Sequence, residues 1–339
     1  MLLNRSSPTG ESNGQRKPTR VPRRLSAAGM APTVGTLALL FLVGSVLIPG
    51  FLSGSNIVAM LVLGSFLGIA AAGQTLVIVL GGIDLSVAST VGLGEVVTAV
   101  LYSRSVPLWE ILVILLLCGI IIGILNGGIS SYFKLHPLIV TLGVGFIISG
   151  TVLMWTNGGA AQGTSPAIFQ NMTSLSASFG PIPLPPIVML WALLIAVVVV
   201  IQRYTMLGRQ IYSLGSSAAA AELALVPRVR TWIITYVISA LTGIMAGVVL
   251  SGFSGGANFS AGDPYLFNSI AAVVVGGTSL LGGRGGYART VIGSLIVTEL
   301  TTILLGFGLN SPLQETLLGV FIILVVAIGG REAHVRSRV

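Results

Sequence analysis

The chain has 339 residues, of which 54% are hydrophobic and only 8% charged, and its mean hydropathy is +0.99. A water-soluble globule carries about 25% charged residues because its surface must be solvated, so this composition excludes one and makes lipid the solvent of most of the chain. The single cysteine, Cys118, excludes an internal disulfide, and with only two histidines neither a zinc or haem site nor any other cofactor is expected.

The net charge of +8 is concentrated outside the apolar stretches. Residues 1–30 hold Arg5, Arg16, Lys17, Arg20, Arg23 and Arg24 against one acid, Glu11. Rich in Ser, Pro, Gly and Asn and without apolar periodicity, this head reads as a disordered basic segment. Its place before an apolar run makes it a positive-inside anchor that meets membrane lipid, with no role toward nucleic acid. The run after it is long and lacks an A-x-A-like site, so it reads as a retained span.

Ten apolar stretches separated by polar breaks follow, at roughly 31–49, 55–80, 85–103, 109–131, 137–156, 185–202, 231–252, 267–281, 287–309 and 312–330. A helix needs about 20 apolar residues to cross the hydrocarbon. The expected organisation is a basic cytoplasmic head over 1–30, a transmembrane domain over 31–330 and a short cytoplasmic tail over 331–339. With the N-terminus inside, all but Arg104 of the 17 Lys and Arg fall on the cytoplasmic side. The positive-inside rule therefore predicts both termini cytoplasmic and an even number of spans.

Two connections stand out. Residues 157–184 are polar, turn-rich and almost uncharged, as an external loop would be. Residues 203–230 are basic and contain SSAAAAELALVPRVR from Ser216. The strong helix formers from Ala218 to Leu225, with Ser216 or Ser217 as N-cap and Pro227 as the stop, predict a short helix outside the membrane on the cytoplasmic side. Glycines recur every four residues at Gly64/Gly68, Gly119/Gly123/Gly127 and Gly243/Gly247, each set lining one helix face where backbones approach closely. VIVLGGIDLS from Val77 echoes AVVVGGTSLL from Ala272; this is either an internal repeat with broken helices, as in many transporters, or a coincidence of glycine-rich apolar sequence.

Nothing in the chain looks catalytic. It carries no G-x-x-x-x-G-K-[ST], and GGTSLLGGRGG from Gly276 lacks the Lys-Ser/Thr ending of a phosphate loop. His136 stands at a helix entry without a second histidine near it, which suits a capping or interfacial role better than a proton relay. Acids within spans are costly and so informative. Asp84 follows Gly81-Gly82 and precedes a new helical run. Two roles fit it, a helix N-cap and a polar lining of a pathway at the break. Glu95 and Glu299 lie deeper. The uncharged polar residues Gln74, Asn126, Thr141, Thr298, Thr301 and Thr302 suit a hydroxyl-bearing solute better than an ion, though threonine also bonds its own helix backbone. Of these, Gln74, Asp84, Glu95, Asn126, Thr141, Thr301 and Thr302 are the expected pathway residues.

GQTLVIVLGGIDLSVAS from Gly73, HPLIVTLG from His136, LGRQIYSLG from Leu207 and IAAVVVGGTSLLGG from Ile270 together resemble the permease subunits of bacterial ABC importers for ribose, xylose, galactose and related sugars. The resemblance covers roughly residues 50–330. It implies an all-α membrane protein of the type II-like importer permease class, with about ten transmembrane helices, in the bacterial inner membrane. It implies a transport subunit with no nucleotide site of its own, and four kinds of partner. These are a second permease copy or paralogue, a cytoplasmic ABC ATPase, a periplasmic sugar-binding protein and membrane lipid. By matching position, a coupling helix over 216–228 would meet the ATPase, with Arg209, Ala220, Ala221, Glu222, Arg228 and Arg230 as contacts and small alanines facing its groove. The chain departs from the family pattern at Ser216–Ala220, Ala224–Val226, Phe267-Asn268, Arg289 and Thr301-Thr302, which bears on docking and substrate. A stand-alone proton- or sodium-coupled carrier is the alternative from another class; the absence of paired charged relay residues and the basic loop helix speak against it.

Overall fold

The structure is a computed structural model that describes residues 31–158 and 163–329. The basic head expected over 1–30 and the tail over 331–339 lie outside the described residues, within which no β-strand forms. A helix covers each stretch read as a span: α1 Ala31–Leu47, α2 Gly54–Leu80, α3 Val87–Ser103, α4 Leu108–Tyr132, α5 Pro137–Trp155, α7 Pro186–Tyr204, α10 Arg228–Ser254, α11 Asp263–Val275, α12 Tyr287–Gly306 and α13 Ser311–Gly329. Three shorter helices, α6 Ala167–Thr173, α8 Met206–Ser216 and α9 Ala218–Leu223, lie in the connections. Among the described residues, six helices (α2, α4, α5, α7, α10 and α12) are long and apolar enough to cross a membrane.

Two expected elements take a different form. The stretch expected over 267–281 starts earlier, at Asp263, and stops at Val275, because Gly276 and Gly277 end the helix with Gly277 at a φ of 84°. The loop helix is preceded by a second one, α8. Thr205 caps α8 by accepting from the Gly208 N–H at 3.2 Å, and its inner face is Gly208, Ile211 and Leu214. Ser217 caps α9 by accepting from the Ala220 N–H at 3.3 Å. That helix closes at Leu223, short of Pro227, as the chain turns through Leu225 at a φ of 56°.

Helix α10 is the axis of the bundle and packs against α2, α3 and α4. Without a hydrophobic drive between helices in lipid, close backbone approach supplies the attraction. The glycine stripe of α4 provides it: Gly119 faces Leu241, Gly123 faces Val237 and Gly127 faces Ile233, one turn at a time down α10. On the opposite side of α10, Gly243 faces Thr90 and Gly247 faces the Val91 carbonyl of α3. Gly73 of α2 sits on the Ser239 backbone of α10. The four-residue spacings are thus the seams of the bundle.

A methyl group at Gly247 would overlap the Val91 carbonyl oxygen, backbone that cannot move aside, whereas one at Gly143 of α5 meets nothing within 4 Å. Gly247→Ala is expected to destabilise the detergent-solubilised protein by about 2–3 kcal/mol through overpacking. Gly143→Ala is expected to be neutral or to gain a few tenths of a kcal/mol from helix propensity. Thermal unfolding of the two variants beside the parent checks the pair.

Candidate functional site: a polar knot at a broken helix

Helix α2 ends where Gly81 turns left-handed, at a φ of 96°, with the Gly82 N–H donating to the Val77 carbonyl at 2.9 Å and the Gly81 N–H to Ile78 at 3.0 Å. Glycine alone reaches that turn without steric cost. The chain then passes through Gly82, Ile83 and Asp84 without regular structure and turns at Leu85 and Ser86 before α3 begins, leaving backbone groups that must be satisfied within the protein.

Asp84 does much of this. It is 1% exposed. Its Oδ1 accepts from the Ser86 N–H at 2.9 Å and the Ser86 hydroxyl at 2.6 Å, and its Oδ2 accepts from the Ser239 hydroxyl of α10 at 2.8 Å. Asn126 of α4 donates its Nδ2 to the Ser86 hydroxyl at 2.9 Å. Thr141 of α5 accepts from the Leu85 N–H at 3.0 Å. One carboxylate therefore ties the start of α3 to α10 directly, to α4 through Ser86, and sits beside the tie to α5. The residue in the N-cap position is Ser86, whose side chain makes no cap bond. Asp84 serves the helix start from two residues upstream, in an Asx turn.

Around the knot, hydrogen-bonding capacity is left over. Tyr236 of α10 is buried against Gly82, and its hydroxyl has no partner among the described residues. The same holds for the Oδ1 of Asn126, the hydroxyl of Ser130 one turn further along α4, and both amide atoms of the fully buried Gln74. Buried polar groups without partners are costly, and a transport pathway is one place where such groups are kept.

Of the pathway residues expected from sequence, Asp84, Asn126 and Thr141 meet here, and Gln74 follows Gly73, which rests on Ser239. The others lie elsewhere. Glu95 is buried where α10 ends: its Oε1 accepts from the Ser254 hydroxyl at 2.8 Å, the Asn258 backbone also donates to it, and its Oε2 is unpartnered. Thr301 and Thr302 donate to the carbonyls of Val297 and Thr298 in their own helix, both at 2.9 Å, and do not join the knot. Ser86, Ser239 and Tyr236 were missed. The Asp-x-Ser spacing could have shown Ser86; Ser239 and Tyr236 come from a distant helix and carry no local signal.

The expected coupling face also needs correction. Ala220, Glu222, Arg209 and Arg230 are exposed, and Arg228 stacks over Trp232 at 5.6 Å. Ala221, expected to face outward, is fully buried among Leu76, Leu214, Trp232 and Tyr236. The six residues of α9 lie on the bundle and so present one side inward. Outward stand Leu223, the last residue of α9, and Leu225 in the turn just after it, 88% and 89% exposed, neither singled out from the sequence.

A profile of the family described as branched-chain amino acid transport system / permease component matches residues 56–326. The chain belongs to this family. It is 32% identical over 265 residues to autoinducer 2 import system permease proteins LsrD from Escherichia coli and Salmonella typhimurium, covering 77% of this chain and 79% of theirs. No solved structure shows a significant match. The resemblance to sugar-type ABC importer permeases is thereby borne out. The chain is a transport subunit of the inner membrane and not an enzyme.

In this permease, Asp84→Ala would leave the Ser86 N–H and two buried hydroxyls without an acceptor, at a cost of about 3 kcal/mol. Asp84→Asn keeps an acceptor toward Ser86, and the Ser239 hydroxyl can rotate to accept from the new amide. The expected order of thermal stability is parent, then Asn, then Ala, with uptake strongly reduced in the alanine variant. Paired melting and uptake measurements check it.

Proposed function

We propose that this chain is the permease subunit of an ABC importer that carries a small hydroxyl-bearing solute of the monosaccharide type into the cytoplasm. A separate ABC ATPase docks on α8–α9 and drives it. The unit works with a second permease copy or paralogue and receives solute from a periplasmic binding protein. Both termini are cytoplasmic, and the ten apolar helices are the spans.

The observation that carries this reading is the pairing of two features at one end of the bundle. One is a helical connection, α8–α9, that is not needed to cross the membrane and bears two exposed leucines. The other is the broken helix with its neutral polar lining, reached through the buried side of α8–α9. The relatives' role in importing autoinducer 2 is in keeping with a compact polar solute. The knot offers hydroxyls and amides, both donors and acceptors, and its one carboxylate is already occupied by three hydrogen bonds.

Three results test the proposal. Reporter fusions after Gly10 and after Ser337 should both read cytoplasmic, and one within residues 160–180 periplasmic; termini on opposite sides would overturn the topology. Uptake of labelled solute should cease when the partner ATPase is deleted and should be competed by sugars in preference to branched-chain amino acids. Leu225 sits in a left-handed backbone conformation that costs an L-residue roughly 1–2 kcal/mol. Leu225→Gly should therefore leave the permease as stable or more so while weakening co-purification of the ATPase, because it removes an exposed apolar contact. Ala221→Glu, by contrast, should lower the abundance of the permease itself, since its carboxylate would enter the permease's own core.

A further inference from the structure

We propose that the glycine loop between α11 and α12, residues 276–286, is the joint that carries motion from α8–α9 to the break at Asp84, with Tyr212 as the residue that positions it. This rests on the importer reading above.

The joint is made of backbone. The Val79 carbonyl is one of the orphan acceptors at the end of α2; it is satisfied by the Gly283 N–H of the loop at 2.8 Å. Gly215, at the end of α8, lies where a methyl group would overlap the Val79 carbonyl oxygen and stand 2.7 Å from the Gly283 nitrogen. A methyl group on Gly282 would stand 3.0 Å from both the Gly215 carbonyl oxygen and the Gly81 Cα. Gly282 and Gly283 hold φ values of 84° and 69°, so side chains are unfavourable there on conformational grounds as well. The ends of α2 and α8 and the loop therefore meet with no side chain between them. Such a contact has no compliant layer: if α8 shifts, the loop and the end of α2 must shift with it.

Tyr212 supplies the directional grip. From α8 its hydroxyl donates to the Gly285 carbonyl at 2.8 Å. Burial raises the pKa of that hydroxyl, an effect Arg203 and Arg289 oppose, so it remains a donor at neutral pH. The far end of the loop is held by α7, where Gln202 Oε1 accepts from the Tyr287 N–H at 2.8 Å. The loop is thus pinned at α12, gripped by α8 and bonded to Val79, five residues before Asp84. Since α9 follows α8 through Ser217 alone, a push on Leu223 and Leu225 reaches Tyr212 and Gly215 along one short, capped segment.

The test uses the complex of permease, partner ATPase and binding protein in lipid vesicles, the binding protein purified with its endogenous solute. Tyr212→Phe keeps the ring and removes one hydrogen bond. Assembly and basal ATP hydrolysis are expected to stay at the parent level, while binding-protein-stimulated hydrolysis and uptake fall roughly five- to tenfold. Full stimulation in Tyr212→Phe would overturn the joint, and so would a loss of assembly and basal hydrolysis by the same factor, which a merely structural role predicts. If the parent complex itself shows no stimulation, the importer reading fails instead, and that is visible before any variant is examined.

Discussion

A helix that breaks in a buried interior must find partners for the backbone groups it releases, because no solvent reaches them there. The break after α2 is where this constraint bears hardest, and the surrounding structure follows from how it is met. Gly81 and Gly82 return N–H groups to Ile78 and Val77, Asp84 takes the Ser86 N–H, and Thr141 takes that of Leu85. The carboxylate that serves α3 is in turn held by Ser239. That fixes α10 against the break and makes α10 the helix on which α2, α3 and α4 all lean. A carboxylate buried at this depth is tolerated because both of its oxygens accept hydrogen bonds.

The second glycine break repeats the solution with a shift. At the end of α11 the Thr278 N–H donates to Val273 at 3.1 Å and the Gly277 N–H to Val274 at 2.8 Å, the pattern that the Gly82 and Gly81 N–H groups form after α2. The left-handed residue is Gly81 in one and Gly277 in the other. Aligning the two stretches by sequence pairs Gly81 with Gly276, one residue out of step with the geometry. This cap closes a large share of helices that end at glycine, and two adjacent glycines permit the turn at either position, so the shared conformation follows from the glycines themselves. The two breaks also touch, through Gly283 and Val79.

What was legible in the sequence was what is local or expensive. The glycine seams could be read because a spacing of four on one helix declares a face without reference to the partner. Asp84 could be read because a charge among apolar residues asks for an explanation. Asn126 and Thr141 were within reach for a similar, weaker reason. Ser239 and Tyr236 were not, since what gives them meaning is a contact with a break more than 150 residues away in the chain. Helix α8 was hidden because Arg209 and its polar neighbours obscure the spacing of Ile211 and Leu214. The orientation of α9 could not be read at all: a run of alanines has no amphipathic pattern, so the face it buries is chosen by the surface it lies on. Ala221 went inward for that reason, and the outward face fell to Leu223 and Leu225.

The leftover groups bear on how such a site can conduct. A pathway that bound its solute through a buried ion pair would hold it tightly, since separating the charges in a low-dielectric interior is costly. A site that transfers a neutral solute does better with contacts that are individually modest and can be exchanged one at a time. Here both oxygens of the carboxylate are engaged by Ser86 and Ser239 and turned to structural use, while the unpartnered groups are an amide at Gln74, an amide oxygen at Asn126 and hydroxyls at Ser130 and Tyr236. Each contributes about 1 kcal/mol when paired with a neutral partner. On the proposed reading, affinity then belongs to the binding protein outside and direction to the ATPase inside. What the permease keeps is a weak polar lining beside a joint that can move.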